Sequence, residues 1–147
     1  MDGHSIELER ATGETIGYVE GLLEASGLPT RDLREAPAEF YVGYDGDRRV
    51  GVGGLECYGT AGLLRSVVVE ESVRGEGVGT ALCERLERTA RAEEIERLYL
   101  LTTTAAEFFD RRGYATIDRS EPPAAIRETA EFAELCPATA VCMQKSL

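Results

Sequence analysis

The chain of 147 residues contains one lysine, Lys145, one histidine, His4, and no tryptophan. Its 16 basic residues face 27 acidic ones, for a net charge of −11. So little positive charge argues against nucleic acid as a partner, because such surfaces show a basic face. A lone lysine near the C-terminus excludes the Walker phosphate loop, which needs Lys directly after the second Gly of its motif. One histidine, and four cysteines (Cys57, Cys83, Cys136, Cys142) without a C-x-x-C pair, leave no zinc-ligand spacing, so no metal is expected. No apolar run approaches the ~20 residues of a membrane-spanning helix, so no membrane partner is expected. Met1–Ser5 lacks the basic and apolar regions of a signal peptide, so a cytoplasmic location is expected, with thiols rather than disulfides.

Fifteen of the 16 basic residues are arginine. An acidic, lysine-poor surface fits a protein adapted to high salt, where self-repulsion is screened, and fits an ordinary acidic protein equally well. The length and the 43% apolar content suit one domain, residues 1–147, with a buried core.

The chain is organised around Leu63–Glu93. Leu63–Val69 is a β-branched apolar run that reads as a buried strand. After the acidic turn Glu70–Val73 comes Arg74-Gly75-Glu76-Gly77-Val78-Gly79-Thr80. From there Val78, Leu82, Leu86 and Ala90 recur every fourth residue as the apolar stripe of a helix, with Glu84, Arg85, Glu87 and Arg88 between them. A glycine-rich loop opening a helix is a phosphate cradle. The first helical turn leaves backbone N–H groups unpaired, the dipole adds partial positive charge, and glycine lets the ligand approach the backbone. Arg74 adds a formal charge. The dinucleotide fingerprint G-x-G-x-x-G fails, since Gly75, Gly77 and Gly79 are spaced by two and Thr80 follows.

Around this centre, Ser5–Glu9 reads as a strand, and a helix follows with Thr12 as its cap, Ile16, Val19, Leu22 and Leu23 as its apolar stripe, and Gly27 at its end. Leu28–Leu33 is a loop or short helix. Phe40–Tyr44 and Val50–Cys57 form a hairpin about Asp45–Asp47, and Tyr58–Gly62 turns into Leu63–Val69, giving an antiparallel meander. Ile95–Leu101 is a strand expected to run parallel to Leu63–Val69, because a helix joins them. A short helix carries Ala105, Ala106, Phe108 and Phe109, Tyr114–Arg119 is a further strand, a helical segment starts at Glu121–Pro123, and Ala138–Gln144 is the last strand.

The motif R-x-x-G-x-G at Arg74–Gly79, between strand and helix, resembles the GNAT superfamily of acyl-CoA-dependent N-acyltransferases. Phe108-Phe109-Asp110-Arg111-Arg112-Gly113-Tyr114 resembles that family's F-Y-x-x-x-G-F signature at the expected distance. The tail from Pro123 to Met143 resembles arsenic-resistance-type N-acetyltransferases, related to enzymes that acetylate phosphinothricin and arsinothricin. The resemblance implies a mixed α/β fold, a twisted, mostly antiparallel sheet of six or seven strands with helices on both faces. It also implies a splayed parallel strand pair that admits the pantetheine arm.

For the site, the resemblance implies acetyl-CoA as cosubstrate. Its diphosphate would be held by the amides of Arg74, Gly75, Glu76, Gly77, Val78, Gly79 and Thr80, and its pantetheine and carbonyl by Val67, Val68 and Val69, with Thr102 and Phe109 at two further cofactor positions. Phe109 stands where many relatives carry a Tyr that protonates the leaving thiolate, and Thr102 stands where an Asn is common; phenylalanine has no proton to give. Water or a nearby hydroxyl is then expected in that role. Glu56 is the candidate general base, its alternative being a solvent-facing edge carboxylate. Arg65, with Ser66, is the candidate for an anionic group on a small-molecule amine acceptor, since an arginine in an apolar run needs an anion. The alternative for Arg65 is a structural salt bridge with Glu56 or another acid. A non-catalytic CoA-binding domain and a protein or peptide acetyltransferase also stay open. Dimers are common in such enzymes, so a homodimer is one open assembly.

Overall fold

The computed structural model describes residues 6–27, 38–75, 77–129, 132 and 139–147. The expected loop Leu28–Leu33, the loop residue Glu76, and Ala130, Ala133 and Cys136–Pro137 lie outside these residues.

Seven strands form one sheet: β1 (Ile6–Arg10), β2 (Ala38–Asp45), β3 (Arg48–Tyr58), β4 (Ala61–Val69), β5 (Arg97–Thr102), β6 (Ala115–Ile117) and β7 (Val141–Ser146). Their spatial order is β1-β2-β3-β4-β5-β7-β6, and only β4 and β5 pair in parallel. The helices are α1 (Gly13–Ala25), α2 (Val78–Ala92), α3 (Ala106–Arg111) and α4 (Ala124–Arg127). The expected meander, the parallel pair and the mixed α/β class are all present. At the start of α1 the backbone N–H of Thr12 donates to Thr15 Oγ1 at 2.8 Å, and Gly27 follows the helix with φ +73°.

Helices cover both faces, as alternation along a strand requires. Leu64 packs in the cluster of Leu82, Leu86 and Ala90 from α2, whereas its neighbour Leu63 packs with Ile126 and Phe132. On β3, Gly51 and Gly53 lie under α2, while Val52 joins Val19 and Leu23 of α1. The glycines are steric necessities: a Cβ on Gly53 would sit 2.5 Å from Leu86 Cδ1, and one on Gly51 2.6 Å from the Val68 carbonyl oxygen. A bare backbone at these positions lets α2 settle against the sheet centre, which fixes where its N-terminus points.

One expectation about α2 is overturned. Glu87 is not on its wet face but is 3% exposed. It accepts hydrogen bonds from Tyr114 Oη (3.0 Å), Arg112 (3.2 Å) and Lys145 Nζ (3.0 Å), so the only lysine of the chain is committed to a buried acid. Those three partners offset the desolvation that keeps unpaired carboxylates out of cores.

Candidate functional site

β4 is interrupted where the site begins. Pairing with β3 jumps from Gly54–Arg65 to Val52–Val68, so Ser66 and Val67 together oppose one residue, and Ser66 has φ +58°. This is a β-bulge with a non-glycine residue in the left-handed region, and it re-aims the amides that follow. On the other side, β4 pairs with β5 only over Ala61–Leu63 with Arg97–Tyr99. β5 continues to Thr102 and β4 to Val69 without further pairing between them. The two strands part, which is the splay the family resemblance implies.

A cavity of about 620 Å³ lies along the parted stretch. Val67, Val68 and Val69 form its β4 wall, Glu70, Glu71 and Arg74 its rim, and Thr104 lies on it beyond β5. Leu22, Ala25 and Ser26 at the end of α1 close it from outside. The structure thus brings Val67–Val69 together with Arg74, as expected, and adds residues that the motif gave no hint of. Thr104 lies two residues past the end of β5, in the bend that leads to α3, and no motif marks it.

Beyond the rim, the glycine loop leads into α2. Gly75 (φ +84°) and Gly77 (φ +82°) both take left-handed backbone, which a side chain would strain. Gly77 is the N-cap, no side chain caps the helix, and its first turn, Val78–Thr80, holds no acid. Those N–H groups are the donors of an anion cradle. Gly79 packs where an added Cβ would be 3.5 Å from Phe108 Cζ. Arg74 Nε donates to the Val69 carbonyl at 3.1 Å, tying the loop to the end of β4. Glu70 is held by Tyr18 of α1, whose hydroxyl donates to Oε2 at 2.6 Å; burial first, then this bond, raises the Tyr18 pKa.

Two cofactor positions differ from expectation. Phe109 is 7% exposed and stacks edge-on with Phe108 (5.1 Å) and Tyr114 (5.3 Å), so it belongs to the core and not to the cavity wall. It packs in the cluster that includes Leu82, Cys83 and Leu86 of α2, while Phe108 lies against Gly79. Thr102 Oγ1 accepts the Ala105 N–H at 3.0 Å, closing the turn into α3, and Thr104 is the threonine on the cavity.

Glu56 and Arg65, which the sequence suggested for separate roles, are partners. Arg65 donates to Glu56 Oε2 at 2.9 Å, with side chains 0% and 2% exposed. Tyr58 donates its hydroxyl to Glu56 Oε1, and burial followed by that bond raises its pKa. Arg65 also stacks over Phe40 at 5.6 Å and reaches Ser66 Oγ at 3.3 Å. Glu56 is therefore not the solvent-facing edge carboxylate, and Arg65 forms the salt bridge that was its alternative. Glu56 pairs in register with Leu63, so the ion pair lies on the face shared by α1 and α4, between their two apolar clusters. Neither residue lines the cavity. Among the described residues, no group of three or more His, Cys, Asp or Glu side chains could hold a metal.

Comparison with known proteins gives this geometry a family. Residues 36–116 match the acetyltransferase (GNAT) domain family. An amino-acid acetyltransferase of Mycobacterium tuberculosis is 33% identical over 123 residues, 81% of this chain and 66% of that protein. A crystal structure from Mycobacterium tuberculosis in complex with CoA and NLQ superposes with a TM-score of 0.79 at 26% identity, covering 96% of this chain and 99% of that one. The N-acetylglutamate synthase of Neisseria gonorrhoeae, crystallised with coenzyme A and N-acetyl-glutamate, superposes with a TM-score of 0.81 at 21% identity. That match covers 99% of this chain and 36% of the synthase. The chain thus spans just under two thirds of the mycobacterial relative and about a third of the Neisseria enzyme.

Proposed function

The chain belongs to the GNAT acetyltransferase family, and from that premise we propose that it transfers an acetyl group from acetyl-CoA to the amine of a small, amino-acid-like acceptor. The reaction is direct attack in a ternary complex. What carries this reading is the parting of β4 and β5 after Leu63, with a cavity running from the Val67–Val69 backbone to the glycine loop. The diphosphate of the cofactor takes the N–H groups at the start of α2, and the pantetheine arm fills the gap between the strands. There the amides of Val67–Val69 polarise the thioester carbonyl as charge develops on its oxygen.

On the acceptor side we place Ser66, at the bulge between Arg65 and the Val67–Val69 backbone, with the buried Glu56–Arg65 pair supporting it from behind. The likeness of Pro123–Met143 to arsenic-resistance-type enzymes supports an amino-acid-like toxin as acceptor. A thiol-release assay with acetyl-CoA tests this, run over amino acids, phosphinothricin-like compounds and polyamines at low and at molar salt. Release with amino acids or phosphinothricin-like compounds supports the reading. CoA binding without release for any amine would favour a non-catalytic CoA-binding domain, which the missing phenol at Phe109 would explain.

A further inference from the structure

Acetyl transfer leaves a thiolate, and the side chain that relatives use to meet it is not available here: Phe109 has no hydroxyl and is buried in the core. Resting on the proposed acetyl transfer, we propose that Thr104 is a catalytic residue that donates a hydrogen bond to the leaving sulfur. Three observations place it there. Thr104 lies on the same cavity as Val67–Val69. It follows the end of β5 by two residues, and β5 is the strand that parts from β4. Thr102, the threonine that ends β5, is not on the cavity wall, and its Oγ1 accepts the Ala105 N–H in the turn into α3. The second hydroxyl on the cavity, Ser26, sits on the α1 wall.

The step balances without a further reactant. The amine nitrogen bonds to the carbonyl carbon, and its proton passes to water. The C–S bond breaks and its electron pair leaves on sulfur. The Thr104 O–H donates to that thiolate, sulfur takes its proton from water, and Thr104 ends unchanged beside CoA thiol and the new amide. Threonine is far too weak an acid to give its proton up outright. Its part is to stabilise the anion, and that is visible without any acceptor.

The test is to titrate the thiol of bound CoA by its thiolate ultraviolet absorbance in the wild-type chain and in Thr104→Val, Thr104→Ser and Ser26→Ala. A hydrogen bond to a charged sulfur is expected to hold the bound thiol about one pH unit lower in the wild type than in Thr104→Val. Thr104→Ser restores the lower value and Ser26→Ala keeps it. With the best amino acid of the thiol-release panel, kcat falls about tenfold in Thr104→Val while the Kd for CoA stays unchanged. Equal thiol pKa values in wild type and Thr104→Val, or a shift that follows Ser26 instead, overturn the role of Thr104 and leave the cofactor site standing. Failure of CoA to bind the wild-type chain overturns the cofactor reading and this one together.

Discussion

Glu56 and Glu87 are built alike and placed on opposite faces of the sheet. Each is a carboxylate at most 3% exposed, each accepts a tyrosine hydroxyl, and each is paired with arginine. The difference is in what surrounds them. Glu87 sits under α2, held by Tyr114, Arg112 and Lys145, and it ties that helix to the β6–β7 edge. Glu56 sits on β3 beside the bulged strand, and its partner Arg65 immediately precedes Ser66, where the strand deforms to present its amides. A buried, cation-paired acid therefore marks a site only when the backbone next to it does something a structural element would not need. The bulge, and not the ion pair, is what separates the two clusters.

The largest expected effect comes from removing the carboxylates. Arg65 has a side chain with no exposure, so Glu56→Ala strips the charge partner from a guanidinium that cannot turn to water, and about 3–5 kcal/mol of stability is expected to go. Arg112 and Lys145 keep 16% and 19% exposure and can recover hydration. Glu87→Ala should accordingly cost less, about 2–3 kcal/mol. Urea unfolding of the two variants checks the order, and a larger loss for Glu87→Ala would mean that the Glu56 cluster is open to solvent.

The tyrosines sharpen the contrast at smaller amplitude. Tyr58→Phe and Tyr114→Phe each delete one phenol–carboxylate bond, and each should cost about 1–2 kcal/mol, with the buried Tyr114 at the upper end. Only Tyr58→Phe should raise the acceptor KM, several-fold, because it loosens the carboxylate that holds Arg65. Equal kinetic effects of the two substitutions would mean that the Glu56–Arg65 pair does not support the acceptor site.

Much of this was legible before any coordinates, for physical reasons. The β-branched run at Leu63–Val69, the glycine spacing at Arg74–Gly79 and the period of Val78, Leu82, Leu86 and Ala90 are local signals, and each element formed where its pattern lies. The parallel pairing of β4 and β5 followed from the connecting helix. Glu87 was misread because helical period reports polarity and not partners: nothing near it in sequence announces Tyr114, Arg112 and Lys145, which arrive from elements 25–58 residues away. Thr104 carries no motif, and only the course of the chain beyond β5 brings it to the cavity. The bulge at Ser66 has no composition signal at all, since serine is not the residue a left-handed backbone favours.

The smallest effect is chemical, and it uses one cysteine beside each acid. Cys57, next to Glu56 in the chain, is exposed; Cys83, four residues before Glu87, is fully buried. Burial first, with Glu87 adding to it and Arg112 opposing it, pushes the Cys83 thiol up to about 12 from an ordinary 9.0. The sign follows from linkage. Above pH 9 the unfolded chain gives up this proton while the folded chain keeps it, so the contribution is whole below pH 9 and is lost as pH rises toward 12. At pH 8 iodoacetamide should alkylate Cys57 at a measurable rate, slowed by its own raised pKa, and should reach Cys83 only through unfolding. Peptide mapping by mass spectrometry separates the two. Because a Glu87→Ala chain opens more often under α2, its Cys83 should label faster while Cys57 keeps its rate. Equal labelling of both thiols in the native wild-type chain would mean that α2 is not sealed over the sheet, and the Glu87 cluster would lose its standing as the rigid counterpart of the Glu56 pair.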